Sequence, residues 1–100
     1  MKLYLLTQTA VHRYDVYLEA VVAANNEQEA REMHPIGGVV FNYERNAWLY
    51  SNGVVYQDSD DVCPDWPVHP AHVTATLIGD SINSRRNTHP YVICASFNAG

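Results

Sequence analysis

The segment AVVAANNEQEAREMHP, residues 20–35, decides the fold, because a strand pattern passes within it into the clearest helix pattern of the chain. The Asn26 side chain can accept a hydrogen bond from the first turn of a helix, and Glu29 follows three residues later, as in a capping box. Pro35 disfavours the helical conformation at the residue before it, so the helix must end there. These signals predict one short helix, Glu27 to Met33.

Strand patterns flank this segment on both sides. Residues 3–9 form a short apolar run, and apolar residues alternate with polar ones over residues 14–23 and 73–79. The segment YVICASF, residues 91–97, predicts the last strand. We therefore predict an α+β fold, in which an antiparallel sheet of five or six strands carries the short helix packed on one face. The expected core residues are Leu3, Leu5, Val16, Leu18, Val22, Ala30, Met33, Leu77, Ile93 and Phe97.

A hairpin is predicted in the middle of the chain. The dipeptide Asn52-Gly53 lies between two apolar runs, and this dipeptide suits a two-residue turn because both turn residues adopt positive φ. Such a turn would pair Trp48 with Gln57 and Leu49 with Tyr56. Asp and Pro residues predominate after the second strand, which predicts an irregular surface loop.

The composition is typical of a single globular domain over residues 1–100, within which residues 37–67 form the β-meander and the acidic, Pro-rich loop. Hydrophobic residues make up 47% and charged residues 17% of the chain, whose net charge is −5. This balance argues against direct nucleic-acid binding, and no apolar run reaches the roughly 20 residues that cross a membrane. A cytoplasmic location is expected, in which Cys63 and Cys94 stay as thiols.

Several segments resemble a group of small proteins encoded by phages and prophages, a group with no assigned activity. The matching segments are MKLYLLT (1–7), YDVYLEAVVAA (14–24), EAREMHP (29–35), VTATLIG (73–79) and ASFNAG (95–100). The resemblance implies a small phage-borne protein of the host cytoplasm, with an accessory or anti-defence role. The middle of the chain is longer than in that group, which implies that an individual function resides there.

Aromatic and acidic residues in this middle part predict a protein-binding surface, because aromatic side chains anchor partners and charges steer them. The predicted partner-binding residues are Trp48, Tyr50, Tyr56, Asp58, Asp60, Asp61, Asp65 and Trp66. At least half of the four aromatic residues are also expected to be core. The predicted function is a non-catalytic inhibitor of a host protein with a basic nucleic-acid-binding surface, as an anti-CRISPR-like factor would be. Apolar edge strands, MKLYLLT or YVICASF, further favour a homodimer.

Binding of a small ligand is the alternative function. Zinc prefers sulfur and nitrogen ligands, although the spacing here matches no standard zinc site. The candidate ligands are Cys63, His69, His72 and Cys94. Arg85 and Arg86 are instead suited to the phosphate of a nucleotide. The chain has no nucleophile, metalloprotease or phosphate-loop motif, so we predict that it is not an enzyme and needs no cofactor.

Overall fold

The computed structural model describes residues 1–11, 14–80 and 89–98. In chain order the elements are β1 (Lys2–Gln8), β2 (Val16–Ala24), α1 (Glu27–Arg31), β3 (Val39–Asn42), β4 (Ala47–Tyr50), β5 (Val55–Asp58), a 3₁₀ helix (Pro70–His72), β6 (Val73–Asp80) and β7 (Tyr91–Asn98). The strands form two antiparallel sheets, with the orders β6-β1-β2-β7 and β3-β4-β5. The α+β class with one short α-helix is confirmed for these residues, whereas the single sheet of five or six strands is wrong.

The first turn of α1 is capped as the sequence predicts. The backbone N–H of Glu29 donates to the side-chain oxygen of Asn26 at 2.8 Å, and the carboxylate of Glu29 accepts from the N–H of Asn25 at 2.7 Å. These bonds satisfy N–H groups that have no partner inside the helix. In the described part of the chain, no helix is long and apolar enough to span a membrane.

The helix ends at Arg31, two residues before the predicted end at Met33, because the next residues join the smaller sheet. Met33 forms an isolated antiparallel bridge with Val40, and the N–H of His34 donates to the carbonyl oxygen of Val39 at 3.0 Å. The segment after α1 therefore extends the edge of the three-stranded sheet. This connection fixes the helix relative to both sheets.

The core lies between one face of the four-stranded sheet, α1 and the three-stranded sheet. Its buried residues are Tyr4, Leu6, Ala20, Val22, Ala24, Ala30, Met33, Val39, Phe41, Trp48, Trp66 and Val73. Burial is confirmed for four of the predicted core residues, namely Val16, Val22, Ala30 and Met33. Leu3 and Leu5 are half-buried.

Four residues predicted to be core are exposed instead, namely Leu18, Leu77, Ile93 and Phe97. The last three lie on β6 and β7, the two edge strands of the larger sheet, and Leu77 keeps 55% of its surface exposed. Leu18 lies at a register shift between β2 and β7, which removes it from the regular pairing. Alternation identifies the two faces of a strand, but it does not say whether a neighbouring layer covers either face.

The edges of the larger sheet are only partly as predicted. The strand YVICASF, within β7, is an edge strand, but MKLYLLT, which contains β1, lies between β6 and β2. Both faces of β7 are largely exposed. Homodimerisation through this edge stays a prediction.

The hairpin between β4 and β5 closes with three residues rather than the predicted two. The N–H of Tyr50 donates to the carbonyl oxygen of Val54 at 2.9 Å, and the N–H of Gly53 donates to that of Tyr50 at 2.9 Å. Gly53 has a φ of +84°, a conformation that glycine adopts without steric cost.

Candidate functional site

The predicted partner-binding residues divide into a buried group and an exposed group. Trp48 and Trp66 are 0% exposed and belong to the core, so they cannot contact a partner on the surface. Tyr56 and Asp65 are half-buried, and so is Asp58. The exposed members are Tyr50, Asp60 and Asp61. Two of the four predicted aromatic residues are therefore core, as expected. These two are the tryptophans, which leaves Tyr50 and Tyr56 as the aromatic residues that a partner could reach.

A β-bulge in β5 explains the position of Tyr56. Trp48 pairs with Gln57 as predicted, but Leu49 pairs with Val55 rather than with Tyr56. Tyr56 is therefore the extra residue on its strand, and at such a bulge two consecutive residues face one residue of the neighbouring strand. Tyr56 and Gln57 both contact the loop beyond β5, as their hydrogen bonds to residues 65 and 66 show.

Asp65 ties this loop to the core through four hydrogen bonds. Its Oδ1 lies 2.9 Å from Nε2 of His34, and its Oδ2 accepts from the hydroxyl of Tyr56 at 2.5 Å. The N–H of Asp65 donates to Oε1 of Gln57 at 3.1 Å, and its carbonyl oxygen accepts from the N–H of Tyr17 at 2.8 Å. The contacts span three elements, so Asp65 positions the loop relative to both sheets.

Two more hydrogen bonds hold the residues that follow. Nε2 of Gln57 donates to the carbonyl oxygen of Trp66 at 2.7 Å, and Nε1 of Trp48 donates to that of Pro67 at 3.0 Å. Both acceptors are backbone groups of a Pro-rich segment that cannot form regular structure. The segment predicted to be a surface loop is thus anchored in the core.

The protonation of His34 follows from its partners. Its Nδ1 accepts a hydrogen bond from the N–H of Ile36 at 3.0 Å, which requires a lone pair on that nitrogen. The proton is therefore on Nε2, which donates to an ionised Asp65. The pair consists of a neutral imidazole and a carboxylate.

Aromatic rings enclose His34. Its ring centroid lies 4.8 Å from that of Tyr56, 5.4 Å from that of Trp48, 5.7 Å from that of Tyr17 and 6.3 Å from that of Trp66. The side chain of His34 is fully buried, and both of its ring nitrogens are already engaged. This arrangement stabilises the loop and leaves no nitrogen to exchange a proton with a substrate.

The titration of the cluster reflects the same contacts. Burial raises the pKa of Asp65, but the hydrogen bonds from His34 and Tyr56 lower it by more, and the net direction is below its usual value. Burial, followed by the hydrogen bond to Asp65, raises the pKa of Tyr56 above its usual value. Burial and the charge of Asp65 also raise the pKa of Tyr17. Asp65 is thus held ionised, with both tyrosines neutral.

The outer face of the three-stranded sheet carries a row of apolar side chains. Val40 pairs with Leu49, and Leu49 pairs with Val55, so the three side chains lie side by side across the strands. Val40 keeps 53% and Val55 keeps 36% of its surface exposed, whereas Leu49 between them keeps only 7%. We call Val40, Leu49 and Val55 the apolar row.

An acidic turn follows β5. Its backbone is organised by its own side chains, since the N–H of Asp60 donates to Oδ1 of Asp58 at 2.9 Å and the N–H of Asp58 donates to Oδ2 of Asp61 at 3.2 Å. Asp60 and Asp61 are exposed, and the next residue, Val62, keeps 88% of its surface exposed. We call Asp58, Asp60 and Asp61 the acidic turn.

The structure does not assemble the candidate zinc ligands. Cys63 and Cys94 are free and exposed, and Nδ1 of His69 accepts from the N–H of Ala71 at 3.0 Å to cap the 3₁₀ helix. His72 is the exposed last residue of that helix. Across residues 1–11, 14–80 and 89–98, no three His, Cys, Asp or Glu side chains are grouped to hold a metal ion. The candidate phosphate ligands Arg85 and Arg86 lie outside the described residues.

Comparison with known proteins identifies no related protein. The chain matches no protein-family model, no curated protein and no solved structure. Function must therefore be inferred from the site itself.

Sequence reasoning missed His34 as the centre of the buried cluster. Its partner Asp65 lies 31 positions away, and neither residue belongs to a motif. Gln57 was predicted only as a strand residue, although its buried side chain binds the loop at two points. No local pattern signals these contacts, because each requires the loop to fold back over the sheet.

Proposed function

We propose that this protein is a non-catalytic interaction protein that binds another protein through the outer face of its three-stranded sheet. The observation that carries the proposal is the apolar row, Val40, Leu49 and Val55, which lies across three paired strands. Val40 and Val55 are exposed on either side of the buried Leu49, and exposed aliphatic side chains close to one another are typical of protein-binding surfaces. Tyr50 and Val54 are also exposed, but they pair with each other and adjoin Leu49 and Val55 along their strands, so they lie on the opposite face of the sheet.

The acidic turn favours a partner with a positively charged surface. Asp58 pairs across the strands with Ala47, so the turn begins at the end of the same sheet that carries the apolar row. Its three carboxylates are part of the chain's net charge of −5. A local negative field of this kind accelerates association with a positively charged surface and selects against acidic partners.

The buried cluster supports a role without catalysis. His34 and Asp65 are the pair that most resembles an acid–base dyad, yet His34 is fully buried. Its two ring nitrogens hold Ile36 and Asp65 in place. The cluster is better suited to hold the loop and the acidic turn in one conformation.

We further propose that the partner is a host protein whose nucleic-acid-binding surface is blocked, as in an anti-defence factor. This narrower form rests on the resemblance to phage-borne proteins and on the acidic turn. A nucleic-acid-binding surface is basic and therefore complementary to carboxylates.

Affinity capture from a host lysate at low salt, followed by mass spectrometry, tests both forms. The test variant is Asp58→Asn, Asp60→Asn and Asp61→Asn, which removes three charges but keeps the oxygen acceptors that shape the turn. The matched control is Glu19→Gln, Glu27→Gln and Asp80→Asn, three exposed acidic positions away from the turn. The wild type and the control should retain the same partner, and the test variant should lose it.

Two further measurements distinguish the general proposal, binding through the apolar row, from the narrower proposal that the partner's nucleic-acid-binding surface is blocked. Val40→Lys with Val55→Lys should abolish capture if the apolar row is the contact, and unchanged capture would contradict the proposal. Added duplex DNA should release the partner if its nucleic-acid-binding surface is the one covered. If the partner stays bound when DNA is added, the protein–protein interaction stands, but the proposal that its nucleic-acid-binding surface is blocked is overturned.

A further inference from the structure

A cleft opens between the end of α1, the edge of β3 and the start of β7. Its volume is about 570 Å³, which lies within the roughly 300–1,000 Å³ of pockets that hold small ligands. The cleft is separate from the acidic turn, none of whose residues lines it. Of the apolar row, Val40 lines the cleft.

The wall of the cleft is largely apolar. Met33 and Phe41 are buried members of the core, and Val92 packs against that core from β7. All three line the cleft, so a ligand there would contact the core directly. Phe41 adds an aromatic ring, whose face attracts cations.

Among the described residues that line the cleft, the charged groups are carboxylates. Glu29 and Glu32 both line it: Glu29 lies in the first turn of α1, and Glu32 is the residue directly after the helix. Neutral donors hold them in place: the N–H of Asn25 binds Oε1 of Glu29 at 2.7 Å, and Nε2 of Gln28 binds Oε2 of Glu32 at 2.5 Å. Glu32 also accepts a hydrogen bond from the hydroxyl of Tyr43. A carboxylate offers about four lone-pair sites, so both can accept further hydrogen bonds.

Among the described residues, no Lys or Arg nitrogen lies within 4.0 Å of these carboxylates. Two half-buried negative charges beside an apolar wall favour a ligand that combines an apolar body with a positive charge. The same charges disfavour a nucleotide, because phosphate and carboxylate repel each other.

We propose that this cleft binds a small organic cation, an alkyl or aromatic amine whose ammonium group pairs with Glu29 and Glu32 and whose apolar part contacts Met33, Phe41 and Val92. The ammonium donates charge-assisted hydrogen bonds to the two carboxylates. This site shares Val40 with the protein-binding surface proposed above, but its charged residues and its buried apolar wall belong to the cleft.

Calorimetric titration with 2-phenylethylamine tests the proposal, with 2-phenylethanol and phenylacetate as neutral and anionic probes of similar size. The amine should bind at least about tenfold more tightly than the alcohol, since a hydrogen bond to a charged group contributes about 1.5–3 kcal/mol. Phenylacetate should not bind. Equal affinity for the amine and the alcohol, or no binding of the amine at millimolar concentration, would overturn the proposal.

Two variants test whether the carboxylates of the cleft bind the amine. Glu29→Gln with Glu32→Gln keeps the acceptor oxygens and removes both charges, so it should weaken amine binding by about tenfold or more. The matched control is Glu19→Gln with Glu44→Gln, two exposed carboxylates that do not line the cleft, and its affinity should be unchanged. If amine binding weakens equally in both variants, the affinity depends only on the net charge of the protein, and the assignment of the amine to this cleft is wrong.

Amide resonances show where the probe binds. In wild-type protein the amine should shift the signals of Ser51, His89 and Val92, which line the cleft but are distant in sequence from the substituted glutamates. Shifts confined to Asp58, Asp60 and Asp61 would place the amine on the acidic turn and would refute the cleft. Urea unfolding of each variant verifies that all compared proteins are folded.

Discussion

The side chains of His34 and Asp65, 31 positions apart in the chain, meet at 2.9 Å inside a ring of aromatic residues. The pair joins the segment after α1 to the loop after β5. It therefore links the helix, the smaller sheet and the acidic turn, and it sets where the proposed protein-binding surface lies.

Asp65→Ala is expected to lower the free energy of unfolding by about 2–5 kcal/mol. The change leaves two donors, Nε2 of His34 and the hydroxyl of Tyr56, without their acceptor in a largely buried site, at a cost of about 1–3 kcal/mol each. Urea unfolding measures the difference. Asp60→Ala is the control, because an exposed side chain in the turn should change stability by about 0.5 kcal/mol or less. Equal effects would show that Asp65 is not a structural anchor.

Acid should destabilise the wild type more than Asp65→Asn. The pKa of Asp65 is lowered in the folded protein, so its ionised form contributes stability that is present above the usual carboxyl value of 3.8 and is lost as pH falls through the lower folded value. The measurement is the free energy of unfolding at pH 7 and between pH 4 and 2. The loss over that range should be smaller in the variant, and parallel curves would contradict the assignment.

Trp66→Ala is expected to cost about 3–5 kcal/mol of stability, as truncation of a buried aromatic side chain leaves a cavity. Tyr50→Ala should cost only about 1 kcal/mol, because Tyr50 is exposed and loses mainly its edge-on contact with Tyr56. Thermal or urea unfolding distinguishes the two. If Trp66→Ala unfolds like the wild type, the loop is not anchored in the core.

Cys63 and Cys94 should both react with Ellman's reagent in the native protein. Both thiols are free and exposed, so the reagent reaches them without unfolding. The native protein should release two equivalents of thionitrobenzoate, and Cys63→Ser should release one. Release that requires denaturant would show that a thiol is covered, as an interface through β7 would do for Cys94.

Much of the local structure could be predicted from the sequence, because its causes act within a few residues. Asn26 and Glu29 cap the helix at the predicted position, since the donor and acceptor are three residues apart. The hairpin at Gly53 was expected for the same reason, although the loop is one residue longer. The pairing of Trp48 with Gln57 followed from the hairpin.

Other features depend on contacts between distant segments. The bulge at Tyr56 turns that residue toward Asp65, and it cannot be seen in the alternation of the strand. Leu77 has the same pattern as a core residue, yet it stays 55% exposed on an edge strand of the larger sheet.

The sequence by itself determined the α+β class, the start of the helix and the position of the hairpin, because hydrogen bonds and periodicity between near neighbours encode them. Only the tertiary structure decided that the strands divide into two sheets, that Trp66 is buried and that His34 meets Asp65. The physical reason is that burial and long-range hydrogen bonds depend on which surfaces the folded layers cover, and no short stretch of sequence carries that information.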